Sequence, residues 1–313
     1  MYYRNMLPPK FRKQVDTLDE CVWLYRRPTL EATNLGVNVP NLRMVLWGRW
    51  GTGKSMTVFQ TIYCVWNKNA TFSAMQIMRD YIEVKMSTYR DGRIDFPVLG
   101  HQILNRFKLM NTPHWHKLKV FLCSEFAMHE LSDFLSSNTG LAAPSLSCDC
   151  VGGLIRELTY HCSAGKFPLL VTIDHANSLY GKTTLKDTNH KLVDAKYFSL
   201  VHHLRKLLQR NDWTNGACLL VADKREVSDA RDHLTVPLET PLELFGEHVE
   251  NIEPFIPIET SLYTADEMDT LYEYYLEKNW IASQTGRTER AKKELRFLSA
   301  GSPYNYERLC AFI

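Results

Sequence analysis

The octapeptide GRWGTGKS, residues 48–55, has the spacing of a phosphate-binding loop: a glycine, four intervening residues, then glycine, lysine and serine. The apolar run 44–47 precedes it, and the helix-compatible run 56–59 follows it. A strand, a glycine-rich loop and a helix in this order form the P-loop motif. A glycine turn with a solvated lysine would leave the full spacing unexplained. The pattern therefore predicts a nucleotide phosphate site.

Each residue type in this loop suits one part of phosphate binding. Glycines adopt backbone angles that other residues avoid, so their amides can face a phosphate. The unpaired N–H groups at the start of the next helix, together with its positive end, attract anions. We expect Lys54 to reach the outer phosphates and Ser55 to ligate Mg²⁺.

A second sequence signal is an acidic residue, Asp174, which directly follows the apolar run 167–173. An aspartate directly after a buried strand is the Walker B pattern, which holds Mg²⁺ or its water near the phosphate loop. The predicted metal ligands are Ser55 and Asp174. The complete predicted nucleotide-binding set is Gly48, Arg49, Trp50, Gly51, Thr52, Gly53, Lys54, Ser55, Met56 and Asp174.

The residue after Asp174 bears on hydrolysis. Motor ATPases place a glutamate there to orient water, whereas this chain has His175. Losing that carboxylate base favours slow turnover or retention of nucleotide, so we predict no catalytic residue and at most weak hydrolysis. The guanine-reading pattern Asn-Lys-x-Asp is absent, because residues 67–70 read Asn-Lys-Asn-Ala. The residues alone therefore leave GTP and ATP both open.

Composition limits the remaining function classes. A chain of 313 residues with 45% hydrophobic content can build a large core. Its apolar runs are far shorter than the roughly 20 residues that span a membrane, so we expect no membrane span. A net charge of +2 gives no global basic signal. Contact with nucleic acid must then come from local basic segments, of which 101–119 and 202–210 are candidates; a solvated helix face is the other interpretation.

Alternating strand and helix patterns predict an α/β fold, a P-loop NTPase of the AAA-like or STAND-like kind with a parallel sheet. We expect helices over 10–33, 54–66, 192–210, 288–300 and 303–313, and strands over 72–78 and 217–222. Three regions follow: an N-terminal helical extension (1–40), a nucleotide-binding core (41–250) with a helical insertion at about 95–165, and a C-terminal helical region (251–313).

Beyond the loop, several idiosyncratic stretches resemble the death-associated protein 3 family, GTP-binding proteins of the mitochondrial small ribosomal subunit. The resemblance lies in LWGRWGTGKS and in the segments 169–187, 200–217, 253–280 and 292–313. It gives Gly48, Gly51, Gly53, Lys54 and Ser55 the phosphate-loop role and Asp174 the Walker B role. Two departures are Arg49-Trp50 in the free loop positions and an N-terminal leader that is missing or very short.

The resemblance implies a protein of the mitochondrial matrix that is part of the mitoribosome. It would contact small-subunit ribosomal RNA and neighbouring mitoribosomal proteins, bind GTP or GDP with Mg²⁺, and have an association with apoptosis. Two other classes stay open: a free P-loop NTPase acting in assembly or remodelling, and a small-molecule phosphotransferase. We favour the structural ribosomal component, with the nucleotide as a ligand that stabilises the fold.

Overall fold

The computed structural model describes residues 7, 9–38, 42–68, 73–77, 85–87, 91–112, 146–186, 189–209, 213–224 and 240–311. The strands are β1 (Leu42–Trp47), β2 (Ser73–Ile77), β3 (Lys85–Met86), β4 (Ile94–Asp95), β5 (Leu169–Ile173), β6 (Lys182–Lys186), β7 (Leu192–Asp194), β8 (Gly216–Val221) and β9 (Ile256–Glu259). The α-helices are α1 (Pro9–Leu18), α2 (Arg27–Asn38), α3 (Lys54–Lys68), α4 (Pro97–Met110), α5 (Ser147–Ser163), α6 (Ser199–Gln209), α7 (Pro241–Phe245), α8 (Ala265–Glu277), α9 (Glu289–Ser299) and α10 (Pro303–Cys310).

Five strands form one sheet in the order β2-β5-β8-β1-β9, and every pair in it is parallel. Every residue of β5 and β8 is buried, as expected for inner strands covered by helices on both faces. The strand β8 separates the loop-bearing β1 from β5, which ends just before Asp174. This arrangement confirms the predicted α/β P-loop NTPase fold with a parallel sheet core.

Helices cover the two faces of the sheet, and the strand pleat divides the core between them. In β1, Val45 packs with the cluster that includes α4, α5 and α6, whereas Met44 and Leu46 pack with the cluster of α2 and α3. Successive side chains of a strand point to opposite faces, which explains this division. A third cluster, formed by α8, α9 and α10, includes Met268, Tyr272, Leu295 and Tyr306.

The helix expected over 10–33 is wrong as a single element. Two helices occur there, α1 and α2, separated by residues 19–26. The break begins at Asp19, whose φ of 53° is left-handed and ends a helix. Pro28 then lies in the first turn of α2, where a missing N–H costs nothing. The left-handed conformation of Asp19 therefore breaks the helix, although the amphipathic pattern continues through this position.

Two further expectations need correction. The predicted helix 192–210 begins with β7, which pairs antiparallel with β6. A short 3₁₀ turn at Ala195–Tyr197 follows, and α6 is the α-helical part of the range. Asp194 ends the strand because its Oδ1 accepts a hydrogen bond from the Lys196 N–H at 2.9 Å. The range 251–313, expected to be helical, contains β9, which extends the sheet beside β1. The division into regions 1–40, 41–250 and 251–313, with an insertion at 95–165, stays a prediction.

Several local predictions are confirmed. The helix after the loop is α3, and the strands expected over 72–78 and 217–222 correspond to β2 and β8. The helices expected near 288–300 and 303–313 are α9 and α10. Within the described residues, no helix has the length and apolar character needed to cross a membrane.

Packing of α5 against the sheet gives a stability prediction. Leu154 is fully buried in the largest core cluster, so Leu154→Ala leaves a cavity and should lower the free energy of unfolding by about 3 kcal/mol. The matched control is Leu298→Ala on α9, where the side chain is 61% exposed. Urea unfolding followed by circular dichroism should show a change of less than about 0.5 kcal/mol for the control. Equal losses in both variants would contradict the packing described for α5.

Candidate functional site

The loop between β1 and α3 has the backbone geometry expected of a P-loop. Gly48, Gly51 and Gly53 all have positive φ, at 134°, 81° and 96°. Two of them also lie against other segments: a Cβ on Gly48 would lie 2.6 Å from the Thr260 carbonyl oxygen, and one on Gly51 would lie 2.9 Å from the Tyr304 Cβ. A Cβ on Gly53 meets no such neighbour, so backbone conformation alone requires glycine there.

Lys54, the first residue of α3, is folded over the loop that precedes it. Its Nζ donates to the carbonyl oxygens of Gly48 at 2.6 Å and Arg49 at 2.9 Å. The same ammonium lies 3.5 Å from Oδ2 of Asp223, and the Lys54 side chain is only 5% exposed. Lys54 therefore binds two carbonyl groups of the loop and fixes the loop backbone next to the start of α3.

Ser55 and Asp174 are brought together although 119 residues separate them. The Ser55 hydroxyl donates to Oδ2 of Asp174 at 3.0 Å, and Oδ1 of Asp174 accepts from the His175 N–H at 3.1 Å. A hydroxyl and a carboxylate in contact are oxygen donors of the kind that hold Mg²⁺ together with nucleotide phosphates. The residues present therefore fit a magnesium ion, and the predicted ligands lie together.

The other predicted loop residues lie in different environments. Arg49 and Trp50 are exposed, and the Trp50 ring packs edge-on against Tyr304 at a centroid distance of 4.4 Å. Thr52 is buried and its hydroxyl shares a hydrogen bond of 2.8 Å with that of Thr260. Met56 is half-buried on α3. Arg49 contributes its carbonyl oxygen to the Lys54 contact, whereas its side chain is directed to the surface.

Asp223 is a site residue that the sequence interpretation missed. It lies two residues after the end of β8, whereas Asp174 directly follows β5, so both acids lie just beyond the carboxyl end of a sheet strand. The side-chain amide of Asn177 forms two hydrogen bonds with the backbone of Asp223. It donates to the Asp223 carbonyl at 2.9 Å and accepts from the Asp223 N–H at 3.1 Å. The available signal was an acid just after the predicted strand 217–222.

Arg26 is the second missed residue, and it joins the loop to the C-terminal part of the chain. Its guanidinium donates to the Thr52 carbonyl at 2.9 Å, to the Ser261 carbonyl at 2.9 Å, and to Glu267 at 3.0 Å. It also lies over the ring of Tyr263, whose pKa burial raises to about 12. Buried guanidinium groups need several acceptors, and here they come from three separate segments.

The C-terminal helices contact the loop directly. The Tyr304 N–H, in the first turn of α10, donates to the Gly51 carbonyl at 3.1 Å. Lys10 of α1 donates to the Tyr304 hydroxyl and lowers its pKa. The loop is therefore fixed by a segment about 250 residues further along the chain. A sequence pattern of local spacing contains no signal for this contact.

The Tyr304 contact predicts a cost for Gly51→Ala beyond that of its backbone angle. Gly181 has a similar φ of 84° but open space around a Cβ, so Gly181→Ala is the matched control. We expect Gly51→Ala to lower the free energy of unfolding by about 1 kcal/mol more than the control does. Urea unfolding measures both. Equal losses of unfolding free energy would mean that backbone strain explains the whole effect of Gly51→Ala. The contact with Tyr304 of α10 would then add no measurable cost.

Two solved structures are similar to the chain at low sequence identity. The Aeropyrum pernix ORC2 protein in its ADP form is 14% identical, with a TM-score of 0.42, covering 94% of this chain and 65% of that chain. The E. coli MS115-1 HORMA:CdnC:Trip13 complex contains a chain that is 11% identical, with a TM-score of 0.44, covering 94% of this chain and 78% of its own length.

Sequence relatives give a more specific result. A family model described as mitochondrial ribosomal death-associated protein 3 matches residues 23–309. The small ribosomal subunit proteins mS29 of Mus musculus and Bos taurus are each 33% identical to this chain. The alignments cover 97% and 98% of this chain, respectively, and 80% of each relative. The chain therefore belongs to the mitochondrial ribosomal death-associated protein 3 family.

Proposed function

We propose that this protein is a structural component of the small subunit of the mitochondrial ribosome, in the mitochondrial matrix, and that it binds GTP or GDP with Mg²⁺. The mS29 relatives support the ribosomal part, since their names place them in the small ribosomal subunit. The contact of 3.0 Å between Ser55 and Asp174 is the observation that carries the nucleotide part. An association with apoptosis stays a prediction from the family resemblance alone.

Each residue of the site would contribute a different interaction to nucleotide binding. Lys54 supplies positive charge for the phosphates, and the N–H groups at the start of α3 add donors and the helix dipole. Ser55 and Asp174 supply oxygen ligands for Mg²⁺. Bound Mg²⁺ would neutralise part of the phosphate charge. The choice of guanine over adenine rests on the family, because the residues described above would contact the phosphates and the metal and not the base.

Slow or absent hydrolysis is part of the proposal. The residue after Asp174 is His175, in a left-handed conformation with φ of 55°, and its Nε2 lies 3.9 Å from Oδ1 of Asp174. A carboxylate base at this position is what fast P-loop ATPases use to orient water. With a histidine directed towards the neighbouring aspartate, retention of the nucleotide is favoured over turnover.

A retained nucleotide would stabilise the fold. Its site is formed by β1, α3 and β5, and the loop is held by Arg26 and by Tyr304 of α10. A ligand that binds only the folded state raises stability by an amount set by its concentration relative to Kd. Nucleotide at the loop would therefore strengthen the connection between the sheet and the C-terminal helices, whatever its hydrolysis rate.

Contact with ribosomal RNA is proposed for the basic surface at the C-terminal half of α6. A cavity of about 250 Å³ is lined there by Lys196, His202, Arg205, Lys206 and Gln209. Lysine and arginine neutralise RNA phosphates, and exposed tyrosines such as Tyr197 offer stacking surfaces beside them. The other basic segment, 101–119, is described only to residue 112, and residues 113–119 lie outside the described residues.

The two adjacent histidines of α6 have different environments. His203 is mostly buried, with its Nε2 3.6 Å from Oδ1 of Asp149, and its ring fills the space above Gly152. His202 lies in the basic cavity instead. His203 therefore packs α6 against α5, and only His202 belongs to the proposed RNA-contacting surface.

Nucleotide binding is tested by thermal unfolding with added GDP and Mg²⁺. The wild-type protein should show a higher Tm with nucleotide, because the ligand binds only the folded state. Lys54→Ala removes the buried ammonium and should weaken binding by about a hundredfold, which abolishes most of this rise. Lys293→Ala, at an exposed lysine of α9, is the control and should retain the full rise. An equal rise in the Lys54 variant would contradict phosphate binding at the loop.

Membership of the ribosomal subunit is tested by sedimentation of the tagged protein from gently lysed mitochondria. Co-migration with small-subunit RNA is the expected result, whereas a light, RNA-free peak would favour a free NTPase. The double variant Lys196→Ala/Lys206→Ala should dissociate from the subunit at a lower salt concentration than wild type. It neutralises fewer RNA phosphates, and this electrostatic part of the affinity falls as salt rises. The matched double variant Arg290→Ala/Lys293→Ala removes two exposed cations from α9 and should behave as wild type.

A further inference from the structure

The Lys54 ammonium already has a full set of partners within the protein. Its Nζ has three oxygen acceptors around it: it donates hydrogen bonds to the carbonyl oxygens of Gly48 and Arg49, and it forms an ion pair with Oδ2 of Asp223 at 3.5 Å. One of these acceptors carries a full negative charge. A phosphate that approaches Lys54 must therefore compete with a buried carboxylate for the same cation.

Asp223 is well placed to maintain this competition. The residue before it, Ala222, continues the sheet by donating its N–H to the Leu46 carbonyl of β1 at 2.9 Å. Asn177 holds the Asp223 backbone from the other side through two hydrogen bonds. The carboxylate is therefore carried by a rigid segment, and it is itself mostly buried beside Lys54.

We propose that Asp223 limits the affinity of the loop for nucleotides by holding the Lys54 ammonium against the phosphate groups. The penalty is greater for a nucleoside triphosphate than for a diphosphate, because each phosphate adds negative charge near Asp223 and Asp174 while Mg²⁺ compensates only part of it. This inference rests on the proposed nucleotide site and names the residue that sets its affinity and its preference between the two ligands.

The test measures Kd values for fluorescent GDP and GTP analogues with Mg²⁺ in wild type and Asp223→Asn. The substitution keeps the side-chain shape and leaves both backbone hydrogen bonds to Asn177 in place. We expect binding to tighten by about tenfold for the diphosphate and by more for the triphosphate, as one buried charge pair is removed. Asp91→Asn, at an exposed aspartate in the turn before β4, is the matched control and should bind as wild type.

A second pair of variants shows whether the effect passes through Lys54. The gain from Asp223→Asn should become clearly smaller when Lys54→Ala is present in both proteins compared, because no ammonium is then left to release and only the repulsion between Asp223 and the phosphates is relieved. Thermal unfolding without nucleotide confirms that each variant is folded. A gain of the same size in the Lys54→Ala background would overturn the competition mechanism.

The outcomes separate this inference from the proposed function. Weaker binding in Asp223→Asn would overturn the inference and show that the carboxylate supports the nucleotide or its metal. If the wild-type protein binds nucleotide and Asp223→Asn binds it with the same Kd, the proposed role of Asp223 is contradicted but the nucleotide site is not. Absence of binding in both folded proteins would contradict the nucleotide site itself, and the inference with it.

Discussion

The carboxyl ends of β1, β5 and β8 lie side by side at one edge of the parallel sheet, and the candidate site depends on this alignment. Strand β8 lies between the other two, so the residues that follow the three strands converge. In open parallel sheets, ligands bind at this edge. The strand order therefore brings Lys54, Asp174 and Asp223 into one small volume, although they come from three distant parts of the chain.

The loop in this site is fixed from outside as well as from within. Lys54 holds its inner side, whereas Arg26 and Tyr304 hold the carbonyl oxygens of Thr52 and Gly51. Carbonyl groups bound in this way leave the loop amides available to face a ligand. The N-terminal and C-terminal helices thereby become part of the site's support, and a change at the loop is transmitted to both.

The groups at the centre of the site carry more negative than positive charge before any ligand binds. Two buried carboxylates, Asp174 and Asp223, lie near one buried lysine, with the Ser55 hydroxyl bound to the first of them. A divalent metal ion at Asp174 would supply the excess of positive charge that phosphates require. We therefore expect metal binding and nucleotide binding at the proposed site to depend on each other.

Local chemistry was sufficient to predict one part of the molecule from sequence. The loop spacing and the acid after strand β5 are each confined to a few residues, and the structure brings Ser55 and Asp174 into contact. The capping box formed by Thr264 and Glu267 at the start of α8 is equally local. The capping box shows why: its two hydrogen bonds join residues three apart, so their spacing in the sequence already contains the contact.

Long-range packing decided the rest. The two-helix form of residues 10–33 depends on one left-handed residue, Asp19, within an otherwise continuous helical pattern. Arg26 meets Glu267 across 241 residues, and Asp223 meets Lys54 only because β8 lies between β1 and β5. The sequence by itself determined which residues could bind phosphate and magnesium. The tertiary structure decided which other charges surround them, because strand order and burial arise from the packing of the whole chain.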